Sequence, residues 1–285
     1  MAGNTILYRG SLKSCNYRCS YCPFSKHKES MRELETDRRQ WTRFCRSFAG
    51  RAAALDIRAL LVVPYGEALT HFWYWKGFAE LTRLESVDAV GAQTNLSFPV
   101  ASSIEYFRRA GGCGDRLRLW ASFHPEMVSV SQFARQCSMI LDEGIRLCAG
   151  AVANPKYLEV CRQLREALPR EVYLWLNRMD GRKRPYTKEE QQAFEKIDPF
   201  FFQELSYPQA DPKQCGRRLF VEGDGTLRTC NLGMRQKKNW YELASDFPKP
   251  ECRRKFCSCY LAYAGREDFD QAEDFGEYPL FRMLK

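Results

Sequence analysis

Histidine is scarce in this chain of 285 residues: His27, His71 and His124 are its whole supply, too few for a histidine-built zinc or iron centre. Long apolar runs are missing too. No window approaches the ~18 uninterrupted apolar residues of a membrane helix, and Met1 to Gly10 lacks the apolar core of a secretory signal. Internal repeats, low-complexity tracts and a long polar tail are absent, which excludes solenoid and largely disordered classes. These absences predict a cytoplasmic globular protein with no membrane partner. With 45% hydrophobic residues, the chain can build one full-sized domain and a smaller appendage. Cysteine, by contrast, is plentiful. Thirteen cysteines without a secretory signal argue against a disulfide framework, and their clustering argues for metal.

The first cluster is Cys15-Asn16-Tyr17-Arg18-Cys19-Ser20-Tyr21-Cys22, a C-x3-C-x2-C spacing with an aromatic residue before the last cysteine. Such spacings could line one helix face, but Pro23 follows at once and favours a loop. A loop can wrap three thiolates around one object, and soft thiolates select zinc or an iron–sulfur cluster. Closed zinc sites want four ligands, and the nearest fourth candidate, His27, is five residues further on. A cubane on three cysteines leaves one iron without a protein ligand, open for chemistry.

This spacing resembles the signature of the radical S-adenosylmethionine (SAM) superfamily. The resemblance implies a [4Fe–4S] cluster on Cys15, Cys19 and Cys22, whose open iron chelates the methionine part of SAM. It implies one-electron cleavage of SAM to a 5′-deoxyadenosyl radical that abstracts a substrate hydrogen, and an external electron donor of the flavodoxin or ferredoxin kind.

Beyond the cysteine loop, short apolar runs alternate with amphipathic stretches. Strands are expected at Thr5–Tyr8, Arg58–Val63, Val87–Gln93, Arg116–Ser122, Ile145–Val152 and Val172–Leu176. Helices are expected at Thr36–Gly50, Thr70–Leu84, Val100–Ala110, Ser131–Glu143 and Pro155–Leu168. Such βα repetition calls for a parallel sheet, and six units permit either an open sheet or a partial barrel. The resemblance implies a partial (β/α)6 barrel of the TIM type, with its chemistry at the C-terminal strand ends. Composition changes near Asp198, where aromatics and prolines crowd in and cysteines return. The expected division is a barrel over 1–198 and a cluster-binding extension over 199–285.

Strand ends supply the candidate site residues. Gly66 and Glu67, in Pro64-Tyr65-Gly66-Glu67, match a family Gly-Gly-Glu that seats SAM's amino group, with Tyr65 replacing the first glycine. The backbone of Tyr21 is expected to meet adenine, Ser122 to hold the ribose or carboxylate, and Asn154 to contact SAM. Gln93, Asn95, His124, Asn177 and Arg178 are candidate substrate contacts, although Thr94-Asn95 is also a common turn pair and His124 equally suits a structural role. Cys45, Cys137, Cys148 and Cys161 fall on apolar faces and read as core.

A second group, Cys215, Cys230, Cys252, Cys257 and Cys259, surrounds a hairpin signal: Arg218–Glu222, a Gly223-Asp224-Gly225 turn, then Thr226–Cys230. It resembles the SPASM/twitch extension of some radical SAM enzymes, which implies a second, auxiliary [4Fe–4S] cluster on four of the five; a zinc knuckle is the alternative. The formal charge of +9 would fall to about +6 with both clusters bound. Basic residues are dispersed, so a solvated surface is favoured over a nucleic-acid groove. The expected activity is that of a radical SAM oxidoreductase or maturase, oxidising or forming a bond on a peptide or protein side chain. A small polar metabolite such as an aminosugar or cyclitol is the alternative substrate, and a non-catalytic metal- or nucleic-acid-binding module the alternative of another class.

Overall fold

The apolar runs pair in chain order. A computed structural model describes residues 3–22, 24, 27–206, 218–231, 233, 235–244, 247–248, 254–257 and 272–285. Its strands are β1 (Asn4–Gly10), β2 (Ile57–Val62), β3 (Ala89–Thr94), β4 (Leu117–Ser122), β5 (Arg146–Ala153), β6 (Leu174–Arg178), β7 (Arg218–Glu222) and β8 (Leu227–Arg228). They form one sheet in the order β6-β5-β4-β3-β2-β1-β7-β8. Every neighbouring pair from β6 to β7 is parallel, and only β7 with β8 is antiparallel. The order of β1 to β6 never reverses, unlike that of a doubly wound sheet, so there is no switch point at its centre. Among the described residues β6 and β8 each pair on one side only, and the sheet is open.

The helices are α1 (Met31–Ala49), α2 (Phe72–Leu81), α3 (Val100–Arg109), α4 (Val130–Asp142), α5 (Leu158–Ala167), α6 (Lys188–Glu195), α7 (Phe201–Leu205) and α8 (Ala272–Phe275). α1 begins at Met31 and not at Thr36, because Ser30 and Glu33 form a reciprocal capping box. It buries Trp41, Phe44, Cys45 and Phe48, and also Asp37, whose carboxylate accepts from the Tyr74 hydroxyl (3.0 Å) and the Trp73 indole (3.2 Å). The expected fifth helix divides into a 3₁₀ turn at Pro155–Tyr157 followed by α5. β6 lies at Leu174–Arg178, so Asn177 and Arg178 belong to the strand and do not follow it.

Period-2 alternation sorts the strand residues onto two faces. Ile6, Tyr8, Leu60 and Val62 join the large core beneath the helices. Leu7, Ala59, Leu61, Ala89, Trp120 and Cys148 face the other way and are covered by Leu280, Phe281 and Met283 from the end of the chain. Gly91 makes room for this return, since a Cβ there would meet the Phe281 ring at 2.4 Å. Arg282, between these apolar residues, is fully buried in a left-handed conformation (φ 54°). Its guanidinium lies 3.4 Å from the Trp175 ring centroid and 4.2 Å from that of Trp120.

Candidate functional site

The cysteine loop leaves β1 and runs beside the loop that leaves β2. Tyr65 N and Gly66 N donate to Leu12 O (3.2 and 3.3 Å), and Glu67 N donates to Ser14 O at 3.0 Å. This contact explains the glycine. A Cβ on Gly66 would fall 1.9 Å from Ser14 O, whereas Tyr65 projects outward onto Phe24 (centroids 4.6 Å apart) and under the Arg9 guanidinium (4.7 Å). One close approach needs one glycine, and Tyr65 beside it is tolerated because its ring points outward.

Two carboxylates hold the cysteine loop from outside. Glu29 accepts from Lys13 N, Ser14 N and Ser14 Oγ (2.9, 3.2 and 2.6 Å). Glu126 accepts from Ser20 N and Ser20 Oγ, both at 2.6 Å, and from the Tyr157 hydroxyl at 2.9 Å. Inside, Cys15 Sγ receives Tyr17 N at 3.4 Å and Asn95 Nδ2 at 3.6 Å. Burial pushes the Cys19 thiol up to about 11, and charge on Cys22 and Cys15 adds to the shift. Burial, with Glu67 and Cys22, raises Cys15 despite the Tyr17 amide. Charge on Cys22 or Cys15 disfavours the Cys19 thiolate, a repulsion that a bound cation would offset. Among the described residues no three His, Cys, Asp or Glu side chains close around a single metal ion. Soft thiolates such as these suit zinc or an iron–sulfur cluster.

Next to this loop, a cavity of about 310 Å³ opens at the C-terminal strand ends. Tyr21 and Cys22 enter it from the loop, and Gln93, Ser122, His124, Asn177 and Arg178 from β3, β4 and β6 and the turn after β4. The Tyr21 hydroxyl lies 3.0 Å from His124 Nδ1. Burial lowers His124 to about 4, with Glu126 opposing, which leaves a neutral imidazole at neutral pH.

The other predicted site residues lie outside this lining. The Glu67 carboxylate is buried and accepts from Thr94 Oγ1 (2.7 Å), Asn95 N (2.6 Å) and Leu69 N (3.1 Å), tying the loop after β2 to the end of β3. Burial nevertheless raises it to about 7. Asn95 is buried against Asn16 and Cys15. The Asn154 side chain accepts from Lys156 N and caps the 3₁₀ turn. Of the second cysteine group, Cys230 and Cys257 are half-buried; Cys215, Cys252 and Cys259 lie outside the described residues.

Several contributors escaped the sequence reading. Arg9 donates to Val63 O and Asn231 Oδ1, both at 2.8 Å, and all three residues line the cavity. Trp120 lines it too, with Arg282 stacked against its ring. Behind β6, Glu204 accepts from Trp175 Nε1 and Arg178 N (3.2 and 3.3 Å). An apolar residue predicted as a strand position carries no sequence mark that it faces a cavity. Nor does an isolated glutamate announce a buried partner.

No protein-family model matches the chain, and no curated protein matches it. Solved structures do. Native anSMEcpe with bound AdoMet matches at a TM-score of 0.54 and 13% identity, over 84% of this chain and 78% of that one. The same protein with bound AdoMet and the Cp18Cys peptide matches at 0.55, with equal identity and coverage. BtrN in complex with AdoMet and 2-DOIA reaches 0.36, too low to establish a shared fold. At such identity the likeness to anSMEcpe is one of fold: an α/β chain built on a mostly parallel sheet. Among the described residues no helix is long and apolar enough to cross a membrane.

Proposed function

We propose that this chain is a radical SAM enzyme built on a (β/α)6 partial barrel. The observation that carries the reading is the placement of a C-x3-C-x2-C loop at the rim of the strand-end cavity, with Cys22 and Tyr21 in its wall. A fold shared with a protein solved with bound AdoMet supports it. Cys15, Cys19 and Cys22 would hold a [4Fe–4S] cluster. When bound, such a cluster supplies an open iron for SAM's methionine part and one electron for its cleavage to a 5′-deoxyadenosyl radical. The chain's own residues bind, orient and shield. The Gly66 backbone meets the methionine amino group, the Tyr21 backbone meets adenine, and Ser122 takes the ribose or carboxylate, with Asn154 nearby. Glu67 acts by fixing the loop that carries Gly66. Gln93, His124, Asn177 and Arg178 face the substrate, Asn95 steadies Cys15, and Trp120 excludes water.

Residues 199–285 form a SPASM/twitch-like extension in this reading. Four of Cys215, Cys230, Cys252, Cys257 and Cys259 would hold a second [4Fe–4S] cluster, which supplies an acceptor for one substrate electron. Oxidation or bond formation on a peptide or protein side chain is the favoured outcome, and the peptide bound by anSMEcpe supports that choice. An external one-electron donor is the required partner, and the cytoplasm the expected compartment.

The test is anaerobic reconstitution followed by iron, zinc and 5′-deoxyadenosine assays with SAM and a strong reductant. About eight irons per chain with SAM cleavage support both clusters. About four irons with zinc keep the first site and remove the second. Loaded protein that never cleaves SAM, even with added peptides, refutes the enzyme reading.

A further inference from the structure

Outside the strand-end cavity, the exposed face of α1 carries a feature that the proposed chemistry does not use. Arg38, Arg39, Arg43, Arg46 and Arg51, with Thr42, Ser47 and Tyr241, line a surface depression of about 600 Å³. Several arginines elsewhere on the surface are matched with acids: Arg58 with Asp88, Arg108 with Glu143, Arg162 with Glu159 and Arg228 with Glu222. Here the matching fails. Glu35 takes Arg38 at 2.7 Å and reaches Arg39 only at 4.0 Å. Among the described residues Arg43 and Arg46 have no carboxylate within ion-pair distance. Arg39, Arg43 and Arg46 are spaced four and three residues apart, so their side chains emerge on one helix face. Like charges so gathered repel one another and favour an anion among them.

Two of the guanidiniums are already held in place. Arg43 stacks 3.7 Å from the Tyr241 ring centroid. Arg51 donates to Tyr241 O (2.9 Å), Leu243 O (3.3 Å) and Ser47 Oγ (2.7 Å). A fork fixed before binding loses little freedom when it takes a ligand. Arg46 lies in the last turn of α1, where a cation favours the helix dipole, but that accounts for one arginine of the group. Planar forks match phosphate oxygens in pairs, and the depression has the size of a small-molecule site. We propose that it binds a small phosphorylated molecule, with a phosphate or pyrophosphate group held by Arg39, Arg43 and Arg46. The proposal is independent of the SAM chemistry.

The test is calorimetric titration of the full chain with inorganic phosphate, pyrophosphate and ATP at low salt, alongside sulfate and a single-stranded 20-mer oligonucleotide. The R39Q/R46Q double variant changes two exposed side chains, and its melting temperature reports whether it folds. Saturable binding of pyrophosphate or ATP, weakened tenfold or more in a folded R39Q/R46Q, is the expected result. No saturation at millimolar ligand, unchanged affinity in the variant, or equal affinity for sulfate overturns the proposal. So does tight binding of the oligonucleotide alone, which would assign the patch to nucleic acid.

Discussion

Gly66→Ala tests the link between backbone packing and the cysteine loop. The new methyl would sit 1.9 Å from Ser14 O, 2.7 Å from its carbonyl carbon and 3.0 Å from its nitrogen. Ordinary contact begins near 3.4 Å, so the two backbones must part by about 1.5 Å. All three of these neighbours are main-chain atoms, so no side-chain rotation relieves the clash. The separation strains the bonds from Tyr65 N and Gly66 N to Leu12 O and from Glu67 N to Ser14 O. Overpacking costs about 1–3 kcal/mol, and a weakened backbone bond about another 1 kcal/mol. A total near 3 kcal/mol lowers the melting temperature by roughly 5 °C in a protein of this size. Because Ser14 precedes Cys15, the same displacement moves a ligand of the proposed cluster. Metal-free protein is melted by circular dichroism, and reconstituted protein is assayed for iron per chain. The expected result is the lower melting temperature together with about half the iron or less. A variant that melts within about 2 °C of the parent and loads iron fully, against the roughly 5 °C expected, would refute the reasoning.

Three further perturbations address other parts of the molecule. Glu126→Gln replaces the charged acceptor of Ser20 N and Ser20 Oγ, and should speed iron loss to a chelator about tenfold while leaving the melting temperature nearly unchanged; equal rates of iron loss would show that the clamp is dispensable. Burial raises Glu204 to about 7, against Arg282's opposing charge. The fold therefore favours its protonated form: the contribution to stability is complete below the unfolded value near 4.5 and is lost as pH rises through about 7. Metal-free parent should thus lose up to about 3 kcal/mol relative to Glu204→Gln between pH 4.5 and 7.5, read by urea denaturation, and parallel pH curves would contradict this. Phe281→Ala empties the space beside Gly91 and should cost about 3–4 kcal/mol by the same assay; a cost under 1 kcal/mol would mean that the inner face repacks freely.

What could be read beforehand followed the range of each signal. The C-x3-C-x2-C loop and the β/α alternation are local patterns, and both reached the structure with boundaries shifted by a few residues. Some shifts were themselves legible: Ser30-x-x-Glu33 and Thr187-x-x-Glu190 are capping boxes, the second opening α6, which the periodicity missed. The hairpin of β7 and β8 was marked by its Gly-Asp-Gly turn, but nothing local says that β7 adds to β1. Long-range choices of this kind depend on which apolar faces remain uncovered once the helices have packed. The carboxylate clamps were hidden for a related reason. Glu29 and Glu126 sit among polar residues and look like solvated surface until the fold brings Ser14 and Ser20 to them. Gly66 and Glu67 were found at their strand end, yet the part played by the glutamate side chain, facing inward to Thr94 and Asn95, came only from the three-dimensional packing.

The return of Leu280, Phe281 and Met283 to the inner face also bears on biosynthesis. These residues follow the eight described strands in the sequence, so a nascent polypeptide makes those strands before the cover for Leu61, Ala89 and Trp120. During that interval an apolar surface faces water, and it is the surface most open to capture by chaperones or by other nascent chains. Trp120 is then shielded on that side only when Arg282 slides between it and Trp175. Arg282 and the apolar residues beside it thus close the face behind Trp120 only after the strands that they cover have been made.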